Sequence, residues 1–162
     1  MGPGDGFKKL MRAYNGQRLG AATVALGLAQ GAYERALAYS TERRQFGRPI
    51  ADFQGIRWKL ADMAVRLDAA RLLIHRAAAR ADRGFPDALE AAKAKTFTAE
   101  MAQAVTNEAL QIHGAAGYGR GLPLERMARD ARMFAIGGGT LEMMRNLNAD
   151  GLLPRVSWRP LA

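Results

Sequence analysis

The chain has 162 residues, which is long enough for one domain with a substantial hydrophobic core. Its 24 Lys and Arg residues outnumber 15 Asp and Glu and give a formal net charge of +9, which favours anionic partners without selecting one class. Because cysteine is absent and there are two histidines, disulfides are excluded and no metal site is expected. The basic residues are not interleaved with aromatic ones, so we expect no nucleic-acid partner.

The first residues carry no pattern typical of a signal peptide, and no window of about 18 residues is apolar throughout. We therefore expect a cytoplasmic protein without a membrane span. Residues 1–5 are predicted to be a disordered start or a remnant of cloning. The predicted helical bundle covers 6–153, and a tail covers 154–162.

Hydrophobic periodicity predicts helices along almost the whole chain, and no useful length alternates as a strand does. The first predicted helix has an apolar stripe at heptad spacing that consists of Leu19, Leu26, Tyr33 and Leu37. The second is predicted from about residue 49 or 51 to Gly84. Its apolar stripe is Phe53, Ile56, Leu60, Met63, Leu67 and Ile74.

Residues typical of helix N-termini predict where the helices in the second half of the chain begin. Asp87 with Glu90 three residues later resembles a capping box, and the helix that it opens is predicted to continue to Gly114. Shorter helices are predicted over about 123–133 and 140–150. Three helices of some 30 residues would each be about 45 Å long, the proportion of a bundle. The predicted fold class is all-α, an up-and-down four-helix-bundle-like domain without a sheet.

A loop of three glycines leads directly into the last predicted helix, in the run Ile136-Gly137-Gly138-Gly139-Thr140-Leu141-Glu142. Such a helix start presents unpaired backbone N–H groups to an anion, although three glycines between helices are also common in plain loops. The accompanying motifs are Glu42-Arg43-Arg44-Gln45-Phe46-Gly47, Phe53-Gln54, Gln111-Ile112-His113-Gly114, Glu125-Arg126 and Arg129-Asp130-Ala131. In this order and spacing, over residues 6–153, they resemble the C-terminal helical domain of the acyl-CoA dehydrogenase family of flavoenzymes.

The resemblance implies FAD as the cofactor. It implies that the first motif meets the pyrophosphate and adenosine of an FAD held mainly by a neighbouring subunit, that the second approaches the adenine and that the third reaches the phosphates. The loop-to-helix junction would touch flavin and nucleotide. The residues that it assigns to FAD are Arg43, Gln45, Phe46, Gln54, Gln111, Gly114, Thr140 and Glu142.

Purely structural interpretations remain open for the same residues. Arg43 and Arg44 would also suit the C-terminal dipole of the first helix, in which case Phe46 would belong to the core. Thr140 would also serve as a helix N-cap. In the third motif, Ala115 replaces a second glycine of the family, which matters if that position needs a positive φ.

The resemblance also implies the chemistry. Family members remove the α-proton of an acyl-CoA thioester with a carboxylate while a β-hydride passes to the flavin. Gly138 stands at the usual position of that base and Gln17 at the less common one, so neither can serve. Weak substitutes are Glu142 and Tyr14. The residues expected beside the substrate are Tyr14, Asn15, Arg18, Gly137 and Gly138.

We favour FAD-dependent α,β-oxidation of an acyl-CoA by a complete enzyme and expect the isolated chain to be inactive. One alternative is a non-oxidising, desulfinase-like lyase, because Gln17 replaces a base and the loop is open. Another is a non-catalytic helical oligomerisation domain. The resemblance implies an N-terminal helical domain and a middle β-domain before this one in a complete enzyme. The expected partners are an electron-transfer acceptor and either further copies, as a homodimer or homotetramer, or a chain that carries those two domains.

Overall fold

The computed structural model describes residues 5–81 and 84–153 and confirms the all-α prediction. Apart from Asp5, the predicted start and tail lie outside the described residues. The helices are α1 (Asp5–Glu42), α2 (Gln54–Ala79), α3 (Ala88–His113), α4 (Ala115–Tyr118), α5 (Leu124–Met133) and α6 (Leu141–Asp150). A short hairpin, β1 (Arg44–Gln45) and β2 (Arg48–Pro49), and a 3-10 turn over Ile50–Asp52 connect α1 to α2.

Helix α3 is the centre of the bundle, and α1, α2, α5 and α6 all pack against it. The ion pairs Lys59–Glu108 and Arg76–Glu90 show that α2 runs antiparallel to α3, because the partners follow opposite orders along the two helices. Helices α5 and α6 also run antiparallel to α3 and together take the place of a fourth long helix. The resulting arrangement is the predicted up-and-down bundle.

Helix α1 lies parallel to α3, since Tyr39 stacks on His113 near the C-terminal ends of both helices. The predicted apolar stripe of α1 is not its buried face, because its four members are only half-buried or, like Leu37, exposed. The buried face consists of small residues, namely Ala22, Ala25, Ala29, Ala32 and Ala36. Helix α3 is also rich in buried alanines, and short side chains let two helix axes approach closely.

Helix α2 begins later and ends earlier than the periodicity predicts. Phe53 has an extended backbone with ψ 128°, so the 3-10 turn before it cannot continue into α2. At the other end the helix stops at Ala79, before Gly84. Within the helix, the predicted stripe is confirmed by the burial of Leu60, Met63, Leu67 and Ile74.

The predicted starts of the last three long elements are confirmed. Asp87 caps α3, and its carboxylate accepts hydrogen bonds from the N–H groups of Leu89 and Glu90 at 2.9 and 3.2 Å. Glu90 pairs with Arg76 and Arg80 of α2 instead of completing a capping box. Helices α5 and α6 begin directly after residues 123 and 140, as expected. None of the helices in the described part of the chain combines the length and hydropathy that a bilayer span requires.

Candidate functional site

The glycine loop between α5 and α6 adopts a backbone that favours glycine. Gly138 and Gly139 have φ values of +73° and +102°, which side-chain-bearing residues rarely adopt. On either side, the Gly137 N–H donates to Met133 O at 2.8 Å and the Leu141 N–H donates to Ala135 O at 3.2 Å. The run of three glycines therefore forms a turn with a defined conformation rather than an irregular loop.

Two cationic side chains bind the carbonyl groups of this loop. The Lys95 ammonium on α3 donates to Gly137 O at 2.6 Å and also to Gly139 O. From α1, Arg18 Nε donates to Gly138 O at 3.3 Å. The carbonyls of three successive residues thus face positive charges from two different helices.

Sequence reasoning missed Lys95, which is only 1% exposed. The available signal was its position, one helical turn from the small residues Ala91, Ala92, Thr98 and Ala99, which are all buried. Burial and the nearby Arg18 lower the pKa of Lys95 below its ordinary value. Among the described residues no carboxylate forms an ion pair with it, so the loop carbonyls supply its hydrogen-bond partners.

Of the predicted substrate residues of α1, Arg18 contacts the loop, and Asn15 and Tyr14 contact Arg18. Asn15 Oδ1 accepts a hydrogen bond from Arg18 Nη1 at 2.9 Å, and the Arg18 guanidinium lies 5.1 Å from the centre of the Tyr14 ring. Gln17, which the family resemblance led us to expect at the less common base position, is exposed beside them. We call Tyr14, Asn15, Arg18, Lys95 and residues 137–140 the loop site.

Helix α6 starts at the edge of the loop site. Thr140 is its N-cap, and its hydroxyl accepts a hydrogen bond from the Met143 N–H at 3.3 Å. Glu142 has a side chain that is 79% exposed. Hydrogen bonds from its own backbone N–H and from the Thr140 hydroxyl hold the pKa of Glu142 below its ordinary value. A carboxylate stabilised in this way is a weaker base for taking a proton from substrate.

The first predicted FAD motif folds as the hairpin β1–β2. Its two turn residues, Phe46 and Gly47, both have positive φ, at 53° and 80°, as a type I′ turn requires. The structural interpretation of Phe46 as a core residue is wrong, because this side chain is 90% exposed. Its ring meets the edge of Phe53 with centroids 6.1 Å apart, directly before Gln54.

The arginines of the first motif follow the end of α1, and their charged side chains are exposed to solvent. Arg43 and Arg44 are both exposed, and in residues 5–81 and 84–153 no acidic side chain forms an ion pair with either. Arg48 is placed differently, with its guanidinium 4.2 Å from the centre of the Phe53 ring. The hairpin therefore presents an aromatic ring and unpaired guanidinium groups together.

The third motif forms the C-terminal end of α3. Gly114 has φ +59°, and its N–H donates to Leu110 O and Gln111 O. Ala115 is the first residue of α4, so the missing second glycine has no conformational consequence. His113 is buried, with Nδ1 2.8 Å from Ala109 O, and its ring stacks on Tyr39 at 4.2 Å. Gln111 and Gly114 are exposed beside this packed histidine.

The predicted site residues fall into two groups. Lys95 and His113 are 18 residues apart on α3, which at a rise of about 1.5 Å per residue separates them by about 27 Å. The loop site lies near the first, and the exposed residues at the hairpin and the end of α3 lie near the second. We call this second group the hairpin site: Arg43, Gln45, Phe46, Gln54, Gln111 and Gly114.

Known proteins resemble this chain in sequence and in fold. Residues 4–153 match the family model for the C-terminal domain of acyl-CoA dehydrogenases. The chain is 58% identical over 91% of its length to a 3-sulfinopropanoyl-CoA desulfinase of Cupriavidus necator and 61% identical to one of Paraburkholderia xenovorans. It spans only 37% and 38% of those two proteins.

A solved structure gives the same result for the fold. Butyryl-CoA dehydrogenase from Megasphaera elsdenii superposes with a TM-score of 0.89 at 42% identity, over 93% of this chain and 39% of that one. The similarity in fold between the two proteins is thus accompanied by clear sequence identity. The chain belongs to the acyl-CoA dehydrogenase family and corresponds to the C-terminal helical domain of that family.

Proposed function

We propose that the complete protein is a flavin-containing enzyme that cleaves a leaving group from the β-carbon of an acyl-CoA without net oxidation, as a desulfinase does. The observation that carries this proposal is the charge of the loop site. Its charged side chains are Arg18 and Lys95, both cationic, and Gly138 stands at the usual position of the base. The positive field of these two groups favours an acyl group that ends in an anion, without contact from the buried Lys95, and a glycine at the base position cannot remove an α-proton.

Identity with relatives supports the same choice of chemistry. Both proteins named above, at 58% and 61% identity, are 3-sulfinopropanoyl-CoA desulfinases. In such a reaction the carbon–sulfur bond breaks, water gives a proton to the carbon and a hydroxyl to the sulfur, and sulfite leaves. Carbon is reduced as sulfur is oxidised, so no external electron acceptor is consumed.

The exposed residues of the hairpin site fit FAD. When bound, FAD supplies a redox-active ring and a pyrophosphate anion. Arg43 presents an unpaired guanidinium fork, the group that best matches phosphate oxygens, and Phe46 presents an apolar ring to solvent. The Gly114 N–H is already bonded within α3, so this glycine would contribute its backbone conformation rather than a hydrogen bond.

The distance between the two sites supports an assembly of copies. Because about 27 Å of α3 separates them, we propose that the hairpin of one subunit completes the FAD site of another, while the loop site serves its own subunit. The exposed Phe46 is then covered in the assembly. A homodimer or homotetramer meets this requirement, and so does a partner chain that carries the remaining domains.

Dehydrogenation is the second candidate, and the superposition on butyryl-CoA dehydrogenase favours it. The two candidates differ in an observable way. We would give the complete, FAD-loaded protein either 3-sulfinopropanoyl-CoA or butyryl-CoA under anaerobic conditions. Sulfite release without lasting loss of flavin absorbance supports the desulfinase proposal, whereas bleaching by butyryl-CoA supports dehydrogenation.

Two substitutions sharpen this experiment. Gln17→Glu places a carboxylate at the less common base position without changing the glycine loop, and the desulfinase proposal predicts that bleaching by butyryl-CoA now appears. If the native protein already bleaches, Tyr14→Phe and Glu142→Gln test the local substitutes for the base. Unchanged turnover in both variants would place the base outside this chain.

A further inference from the structure

Lys95 is an unusual residue for the interior of a helical bundle. Its side chain is 1% exposed, and removing an ammonium from water is costly unless its hydrogen bonds are replaced. In the described part of the chain, no carboxylate pairs with it. Its burial is therefore explained by the two loop carbonyls to which it donates.

The ammonium and the glycine loop depend on each other. Gly138 and Gly139 hold the backbone in a conformation that few other residues adopt, and this conformation directs the carbonyls on either side of Gly138 at Lys95 Nζ. A Cβ added at Gly138 would be in ordinary van der Waals contact with that nitrogen, at 3.6 Å, so the positive φ and not a clash favours glycine there. A rotation of the loop would leave a buried cation without partners, which makes such a rotation unfavourable.

Arg18 holds the same loop from helix α1. It binds the intervening carbonyl, Gly138 O, and is itself held by Asn15 and Tyr14 on α1. Lys95 thus ties the loop to α3 while Arg18 ties it to α1. Two cations on parallel helices define the position of one short segment.

We propose that Lys95 is a positioning residue that holds the glycine loop, and with it the start of α6, in the geometry that the loop site needs. Its part in catalysis rests on the proposed function. Its part in holding the loop does not, and a measurement on the chain itself tests it. Lys95 acts through the loop carbonyls and need not touch the substrate.

The first test is amide hydrogen exchange in Lys95→Met, which keeps the length of the stem and removes the charge. The Leu141 amide reports on the loop, since it is hydrogen-bonded across it to Ala135 O. The Gly137 amide, bonded to Met133 O, reports on the start of the loop, and the Val105 amide reports on the core. We expect loop exchange to accelerate at least tenfold relative to Val105. Equal acceleration at all three amides, or none, would overturn the proposal.

The control is Lys93→Met, two residues away. Lys93 is partly exposed and lies 3.6 Å from Glu90, so its loss removes a surface charge without touching the loop. Loop exchange should stay within twofold of the native chain.

If Lys95→Met does not fold, the ¹⁵N-labelled native chain decides: the Lys95 ammonium protons should be visible at neutral pH while those of exposed lysines exchange too fast. If the Lys95 ammonium protons exchange as fast as those of the exposed lysines, the contact between Lys95 and the loop carbonyls is refuted.

The second test uses the complete, FAD-loaded protein with 3-sulfinopropanoyl-CoA. A displaced loop misplaces the reacting group, so Lys95→Met should lower kcat at least tenfold while KM changes less than threefold. Lys95→Arg keeps the charge and should recover part of kcat. A change in KM alone would overturn the catalytic part. An inactive native protein would instead refute the proposed function and leave the exchange experiment to decide the role of Lys95.

Discussion

Replacing Gly139 by alanine should destabilise the domain, and the structure allows the size of the effect to be worked out. At φ +102° an alanine is held in a sparsely populated backbone region, which costs about 1–3 kcal/mol. Its Cβ would also lie 2.8 Å from Met144 Cε. Met144 is fully buried but ends in a flexible group, so displacing it from a preferred rotamer adds about 1 kcal/mol.

The two contributions lower the free energy of unfolding by about 2–4 kcal/mol. For a domain of this length each kcal/mol shifts Tm by about 2–4 °C, so Gly139→Ala should melt about 4–16 °C below the native chain. The assay is thermal unfolding followed by circular dichroism at the helix band. Urea unfolding with an unchanged m value would show that the denatured state is not responsible.

Gly55→Ala is the matched control. Gly55 lies in the first turn of α2, is exposed and has no atom within 4 Å of an added Cβ. The same substitution should there raise stability by up to about 1 kcal/mol, because alanine loses less backbone entropy in a helix. If Gly139→Ala melts within about 2 °C of the native chain, the loop tolerates a side chain and the reasoning about its backbone is refuted.

Three further substitutions test other parts of the structure. Burial raises the pKa of Glu90, but Arg76 and its neighbours outweigh this and hold it below its ordinary value. Its contribution to stability is therefore complete above the unfolded pKa of about 4.3 and is lost as the pH falls through the folded pKa. The fall in Tm between about pH 5 and 3 should be shallower in Glu90→Gln, and an unchanged slope would contradict this. Gly117→Ala should cost more than Gly139→Ala in urea unfolding, since its Cβ would lie 2.8 Å from both Leu110 O and His113 Cβ, which cannot swing away; native-like stability would show that α4 shifts freely. Phe46→Asn should raise the Tm of the isolated chain, because asparagine accepts a positive φ, and should reduce FAD retained by the complete protein after desalting; full retention would remove Phe46 from the cofactor site.

Local chemistry explains why much of the fold could be predicted. The starts of α3 and α6 depend on Asp87 and Thr140, whose side chains bond to backbone groups two or three residues away. The buried stripe of α2 follows from a spacing of three or four residues. The hairpin escaped prediction because each of its strands has two residues, too few for any periodicity to appear.

The sequence by itself determined the five longer helices, the N-caps of α3 and α6 and the family, because each depends on residues close together in the chain or on motifs whose spacing is visible. Tertiary structure decided which face of α1 is buried, since the small residues Ala25 and Ala29 become part of the core only when other helices pack closely against them. It also separated the candidate site residues into two groups and placed Lys95 at the glycine loop. That lysine is separated from Gly137 by 42 residues, and only the packing of α1, α3 and the loop brings a buried charge to the carbonyls that stabilise it.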